Sequence, residues 1–109
     1  MDIADWRKKI DELDKKLVEL INQRAGYARE IGRLKRNTDL PIYEPDREKK
    51  IYENVQRANQ GPLPDRELNR IYERLIDVMR KFQKADQEAE ARSAEVSGGD
   101  TELEADVND

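Results

Sequence analysis

Residues 3–36 read IADWRKKIDELDKKLVELINQRAGYAREIGRLKR, and this stretch decides the fold. Its apolar residues recur at two sites of a seven-residue repeat, which is the spacing of a long amphipathic helix. The first site holds Ile3, Ile10, Leu17 and Ile31, and the second holds Trp6, Leu13, Leu20, Tyr27 and Leu34. Because the stretch contains no proline, we expect one uninterrupted helix.

A helix of this length is too long for a small body formed by the same chain. From Asp5 to Arg36 it would extend about 48 Å, whereas a compact body of about 86 residues should be roughly 30 Å across. Something outside the chain must therefore cover the apolar stripe. A second copy related by a two-fold axis is the simplest cover, so the sequence predicts a homodimer.

Two further helices are expected after the first. Pro41 interrupts the first helix, and Pro45 suits the first position of a second one because its missing N–H is not needed there. Residues 59–62 read NQGP and end that helix. A third helical pattern begins near Pro64 and fades after Ala85. The predicted fold is all-α, with a long, a short and a long helix.

Charge separates the helical body, residues 1–86, from the segment 87–109. Residues 87–109 carry eight acidic residues and a single base, Arg92, which gives a charge of −7. The net charge of −4 for the whole chain therefore leaves +3 on residues 1–86. Because residues 87–109 contain no aromatic residue and few aliphatic ones, we expect an acidic tail that is disordered from about residue 90.

Composition excludes several classes of site. The 109 residues include no cysteine and no histidine, so a thiol nucleophile, an imidazole base and a zinc site of the usual ligands are absent. The apolar runs are far too short to span a bilayer, and the first six residues have no apolar signal region. We expect a cytoplasmic protein that binds neither a membrane nor nucleic acid.

Arg24 is the most informative charge. The repeat places it at the same site as Leu17 and Ile31, on the stripe that must be buried, while Glu19 and Glu30 lie off that face. One interpretation is a polar residue that fixes register or oligomeric state. The other is that the anion which a buried arginine requires is a bound ligand.

Other polar residues strengthen the ligand interpretation when they are taken together. Lys35 lies near the face of Arg24, Arg7 flanks the stripe, and Gln83 follows the last aromatic of the third helix. Each of them alone suits a solvated surface. Several cations that converge on a helical interior favour a small ligand with more than one carboxylate, held by guanidinium groups.

Four runs of this sequence, in this order, resemble the all-helical chorismate mutases, the AroQ class. They are RKKIDELD at 7–14, LVELINQR at 17–24, EIGRLK at 30–35 and PIYEPDRE at 41–48. The similarity covers roughly residues 3–86. It implies an intertwined homodimer with isomerase (intramolecular transferase) activity, which converts chorismate, a dicarboxylate, to prephenate in the shikimate pathway, at the head of phenylalanine and tyrosine synthesis. No cofactor or metal is implied.

The resemblance also implies roles for individual residues. Arg24 matches an arginine that holds a substrate carboxylate within its own chain, and Arg7 matches one that reaches across the dimer to the other carboxylate. Lys35 matches a lysine that contacts the ether oxygen and a carboxylate. Gln83 matches a side chain, Gln or Glu in the family, that forms a hydrogen bond with the ether oxygen.

A second group of matches lies around the start of the second helix. Arg47 and Glu48 fit the family's Arg-Glu pair, in which the acid receives the substrate hydroxyl. Glu44 falls where an acidic residue, often Asp, lines the hydroxyl side of the pocket. Met79 stands where some members have Ser, so that polar contact is lost or is made by another group.

Two alternatives remain open at this point. The first is an isochorismate-pyruvate lyase on the same fold. Lys35 and Gln83 as a pair of ether-oxygen donors, with Glu48 on the hydroxyl side, favour the mutase over that lyase. The second is a non-catalytic helical dimerisation or regulatory module whose acidic tail is its interaction surface, in which case nothing requires Arg24 to face inward.

Overall fold

The computed structural model describes residues 1–99, which form three helices. Helix α1 spans Ile3–Thr38, α2 spans Pro45–Ala58 and α3 spans Asp65–Gly99. Helix α3 packs against both α1 and α2. The prediction of an all-α fold with helices of long, short and long length is confirmed. None of the helices, over the residues described, has a segment apolar enough to cross a membrane.

Local interactions at both ends define α1. Asp2 and Asp5 form a capping box, in which the Asp5 N–H donates to Asp2 Oδ1 at 2.9 Å and the Asp2 N–H donates to Asp5 Oδ2 at 3.0 Å. At the other end Asp39 adopts a left-handed conformation with φ 60°, and the Leu40 N–H donates to Lys35 O at 3.0 Å. The chain therefore leaves the helix at Asp39.

Helix α2 is short, and side-chain hydrogen bonds hold its C-terminal end. It begins at Pro45, and Glu44 precedes it in an extended conformation without a side-chain capping bond. At its end, Asn59 Nδ2 donates to Leu63 O at 2.9 Å and to Asp65 Oδ1 at 2.7 Å. These bonds connect the end of α2 to the start of α3.

The molecule is extended, and few of its residues are buried. Its radius of gyration is 19.8 Å and its extents are 65 × 36 × 15 Å, whereas a compact chain of about 100 residues has a radius near 13 Å. Ala28, Ile76 and Met79 are the buried hydrophobic residues among those described. The apolar stripe of the first half of α1 is exposed at Ile3, Trp6, Ile10, Leu13, Leu17 and Leu20.

Helix α3 continues well past the end expected from the sequence. We expected the helical pattern to fade after Ala85 and disorder to begin near residue 90, whereas α3 is helical to Gly99. Gln87 and Glu90 supply a reason, since Gln87 Nε2 donates to Gly32 O at 2.5 Å and Glu90 forms ion pairs with α1. Residues 91–95 read ARSAE, which favours a helix without an apolar face. The prediction of disorder for residues 100–109 lies outside the described residues.

Candidate active site

A cavity of about 270 Å³ lies where the second half of α1, the start of α2 and the middle of α3 meet. Its volume is close to the lower end of the range for small-molecule pockets. Six of the seven site residues predicted from the sequence line it, namely Arg24, Lys35, Glu44, Arg47, Glu48 and Gln83. Apolar walls are provided by Ile31, Ile42, Ile51, Ile76 and Met79.

Helix periodicity explains why these side chains meet. On α3, Ile76, Met79, Arg80 and Gln83 are spaced by three or four residues, so they lie on one face. That face closes the cavity from one side. Met79 is buried there, so this position contributes an apolar wall.

Lys35 is held by two acceptors that follow α1 in the chain. Its side chain is only 11% exposed, and its Nζ lies 2.5 Å from Glu44 Oε1 and 3.2 Å from Ile42 O, to which it donates. An ammonium group has three N–H donors. With two directed at these acceptors, the third is available to a ligand.

Gln83 is buried at the contact between α3 and α1. Its Nε2 donates to Ala28 O at 2.6 Å, and this bond fixes which end of the amide faces α1. Because a primary amide has two N–H donors, one donor remains for a ligand in the cavity. Gln87 makes the equivalent bond to Gly32 one turn later.

Arg24 and Arg47 differ from the other cations of the cavity. Arg24 is half-buried and Arg47 is exposed. The ion pairs found at the cavity, within residues 1–99, join Lys35 to Glu44 and Arg80 to Glu48. Arg24 and Arg47 therefore present guanidinium groups that an anionic ligand can use.

Arg80 is a lining residue that the sequence analysis missed. Its Nε lies 3.4 Å from Glu48 Oε2, and its guanidinium carbon lies 4.9 Å from the centre of the Tyr43 ring. Its position three residues before Gln83 was the signal, since residues at that spacing share a helix face.

Two titratable groups near Arg80 have perturbed pKa values. Partial burial, followed by the charges of Glu73 and Glu48, raises the pKa of Tyr52, and Arg80 opposes that rise. The pKa of Asp77 is lowered, first by a hydrogen bond from Lys81 and then, against the effect of desolvation, by the charges of Lys81, Arg74 and Arg80. Arg80 therefore lies between two acidic groups, Glu48 and Asp77.

Arg7 is the one predicted site residue outside the cavity. It lies on the exposed first half of α1, and it is not among the residues that line the cavity of its own chain. The sequence interpretation had assigned it to the cavity of a second copy, and that assignment stays a prediction.

Comparison with known proteins identifies relatives of the whole helical body. The profile of the family described as chorismate mutase type II matches residues 6–84. The chorismate mutase of Methanocaldococcus jannaschii is 34% identical over 83 residues, which cover 75% of this chain and 84% of that protein. A bifunctional chorismate mutase/prephenate dehydratase of Aquifex aeolicus is 34% identical over 87 residues, covering 76% of this chain. The chain spans only 24% of that bifunctional protein.

A solved structure has the same fold. The chorismate mutase of Helicobacter pylori, in complex with prephenate, superimposes with a TM-score of 0.73 at 29% sequence identity. The match covers 79% of this chain and 93% of that one.

Proposed function

This chain belongs to the chorismate mutase type II family, and from that premise we propose that it catalyses the rearrangement of chorismate to prephenate. The reaction is intramolecular, so the enzyme is an isomerase, and its product leads to phenylalanine and tyrosine. The proposal places the reaction in the cytoplasm, and a chain with 42% charged residues suits an aqueous compartment.

The charge balance of the cavity is the observation that carries the proposal. Four cations, Arg24, Lys35, Arg47 and Arg80, and two acids, Glu44 and Glu48, line it, so the lining has a net charge of +2. Chorismate is a dianion of the opposite charge. Lys35 and Arg80 are already paired to acids, which leaves Arg24 and Arg47 as the lining cations available to an anionic ligand.

The reaction requires only groups that this cavity contains. It breaks the ether C–O bond while a C–C bond forms within the same molecule, so no nucleophile and no obligatory proton transfer are needed. An enzyme accelerates it by holding the flexible diacid in its compact reactive conformation. Arg24, together with Arg7 of a second copy, would bind the carboxylates and so select that conformation.

Donors at the breaking ether bond would accelerate the chemical step itself. Negative charge grows on the ether oxygen in the transition state, and fixed donors at that point stabilise it more than they stabilise the substrate. Lys35 and Gln83 each have an N–H that their protein acceptors leave available. Because Lys35 is held by Glu44 and by Ile42 O and Gln83 by Ala28 O, they need little rearrangement during the reaction.

The part of the cavity at the start of α2 would recognise the ring hydroxyl. Glu48 is an acceptor in the first turn of α2, and Glu44 lies just before that helix. Arg47, beside them, supplies a further positive charge. A substrate hydroxyl that donates to Glu48 would fix the orientation of the ring relative to Lys35 and Gln83.

The active enzyme in this proposal is a homodimer. The exposed apolar stripe of α1 supports it, since a run of large hydrophobic residues along a helix is normally covered. Arg7 lies on this same half of α1. A second copy that covers the stripe would bring its own Arg7 to the cavity described here.

One assay tests the proposal. The purified chain is mixed with chorismate, the loss of chorismate is followed by absorbance, and the product is identified by mass spectrometry. We expect saturable conversion to prephenate and little reaction with isochorismate. Release of pyruvate and salicylate from isochorismate at a higher rate would assign the chain to the lyase activity, and no turnover of either substrate would favour a non-catalytic module.

A further inference from the structure

Arg80 and Glu48 form the one ion pair that joins α3 to α2 within residues 1–99. Arg80 Nε lies 3.4 Å from Glu48 Oε2. The Nε atom is buried and makes no hydrogen bond within residues 1–99, so its contact with Glu48, whose side chain is only 19% exposed, is an ion pair defined by distance and charge. A carboxylate that is largely removed from water requires a cation beside it, and Arg80 supplies that cation from the neighbouring helix.

Two further groups restrict the orientation of the Arg80 guanidinium. Its central carbon lies 4.9 Å from the centre of the Tyr43 ring, a cation–π contact. Its Nη2 lies 3.8 Å from Asp77 Oδ1, one turn earlier on α3. Asp77 in turn accepts from Arg74 at 3.3 Å and pairs with Lys81 Nζ at 3.1 Å. Arg80 is thus held by groups from α3, from α2 and from the segment between α1 and α2.

We infer that Arg80 is a positioning residue, which holds the Glu48 carboxylate where it accepts the ring hydroxyl of the substrate. This inference rests on the proposed function, because it assigns a task to a residue in that same cavity. The reach of Arg80 from α3 to α2 also fixes the first turn of α2. Arg80 therefore determines the distance between the hydroxyl acceptor on α2 and the ether-oxygen donor Gln83 on α3.

A direct role as a carboxylate ligand is the rival assignment. The charge of Arg80 is already balanced by Glu48 and Asp77, whereas Arg24 and Arg47 have no such ion pair within residues 1–99. The contact with Tyr43 also covers part of its planar face. A guanidinium that is engaged on several sides orients its acidic partner better than it binds a new anion.

The test is a double-mutant cycle with Arg80→Gln, Glu48→Gln and the combined variant, each assayed for kcat and KM with chorismate. A residue that acts through Glu48 loses its effect once Glu48 is replaced. We expect Arg80→Gln to lower kcat/KM about tenfold in the wild-type background, mainly through KM. In the Glu48→Gln background the same change should cost less than about twofold.

Two variants serve as controls. Arg74→Gln removes an arginine that also pairs with Asp77 but is 76% exposed, so its kcat/KM should stay within about twofold of wild type. Arg80→Lys keeps the charge and should recover part of the loss that Arg80→Gln causes. Circular dichroism of every variant checks that the helices are intact, and Arg80→Lys gives the readout if Arg80→Gln does not fold.

The outcomes separate the two claims. Equal losses from Arg80→Gln in both backgrounds would overturn the inference and make Arg80 a direct ligand. Unchanged kinetics of Arg80→Gln in an active enzyme would also overturn it, while leaving the proposed function intact. A wild-type chain that converts no chorismate would overturn the proposed function, and the assignment of Arg80 with it.

Discussion

Gln83 Nε2 lies 2.6 Å from the carbonyl oxygen of Ala28, and this bond joins α3 to α1 at the wall of the cavity. Both residues are buried, so the bond is shielded from water and determines which end of the amide faces α1. The remaining N–H of Gln83 is thereby kept for the cavity. A neutral amide makes this donation at every pH.

Replacing Gln83 by glutamate should make activity depend on pH, with the highest activity at acidic pH. A carboxyl group can donate to Ala28 O, or to a substrate oxygen, only when it is protonated, and its position beside a carbonyl oxygen favours that protonated form. The pKa of the introduced carboxyl is therefore raised above the usual value near 4.3. Activity should be highest below that raised pKa and should fall as the pH rises through it, as measured from kcat/KM against pH.

Gln87→Glu is the matched control for that experiment. Gln87 makes the same kind of bond, to Gly32 O, but it does not line the cavity. Its substitution should lower stability at neutral pH without moving the pH optimum of turnover. A pH profile of Gln83→Glu that matches wild type, with undiminished activity, would remove Gln83 from the site.

Arg24→Ala should nearly abolish turnover and leave the helices folded. The substitution removes a charged donor pair from the cavity, and such contacts to a carboxylate are worth about 3–4 kcal/mol together, so kcat/KM should fall about 100- to 1000-fold. Arg70→Ala, which removes an arginine that is 66% exposed, should change it less than about twofold. Near-normal activity would show that Arg24 has a structural role only. Loss of the dimer would show that Arg24 fixes the register or the oligomeric state.

Two truncations should distinguish what the end of α3 contributes to stability from what the acidic segment beyond it contributes. A chain ending at Ala85 loses the Gln87 bond to Gly32, the ion pair of Asp86 with Arg33, and the ion pairs of Glu90 with Arg33 and Arg36. The hydrogen bond alone is worth about 1 kcal/mol, so Tm should fall by about 4–8 °C. A chain ending at Glu95 keeps these contacts and should keep both its Tm and its maximal rate.

Two outcomes of these truncations would contradict the prediction. If both chains melt at the wild-type temperature, the contacts of Gln87 and Glu90 with α1 do not stabilise the fold. If the chain ending at Glu95 loses activity while its Tm is unchanged, residues 96–109 contribute to the site. Because the Glu90 ion pairs are partly exposed, their share of the difference should shrink at high salt.

Much of the fold follows from local signals in the sequence. The seven-residue repeat predicts α1, Pro45 predicts the start of α2, and the sequence NQGP at 59–62 predicts its end. Each of these signals is contained in the helix or turn that it predicts. Lys35 was noted from its place near the face of Arg24, Glu48 was assigned a role through the resemblance, and the structure brings both to one cavity.

The features that were missed depend on contacts between helices. The extension of α3 was missed because its support comes from contacts that Gln87 and Glu90 make with α1, which no apolar periodicity reveals. Arg80 was missed because an arginine in so charged a chain is ordinarily solvated. Its contacts with Glu48 on α2 and with the Tyr43 ring distinguish it from Arg74, six residues earlier on α3.

The sharpest prediction concerns the sharing of the active site between two chains. Arg24 lines the cavity of its own chain and Arg7 does not, so in the proposed homodimer Arg7 serves the partner's cavity. A dimer of Arg7→Ala chains and a dimer of Arg24→Ala chains each have both cavities defective. In a mixed dimer, one cavity receives intact Arg7 and intact Arg24, while the other lacks both.

Random assembly of equal amounts of the two variants makes half of the dimers mixed, and each mixed dimer has one complete cavity of two. About a quarter of wild-type activity should therefore return, as the two-fold symmetry requires. The chains must be co-expressed or refolded together, with two affinity tags to verify mixed dimers, because intertwined helices exchange slowly. The control is the mixed dimer of a wild-type chain and the double variant Arg7→Ala, Arg24→Ala, isolated by its two tags from the wild-type dimers that form beside it. Each cavity of that mixed dimer lacks one arginine, so it should have almost no activity. Activity of the Arg7→Ala and Arg24→Ala mixture that stays at the level of the parent variants would mean that both arginines act within one chain, or that Arg7 has no part in the site.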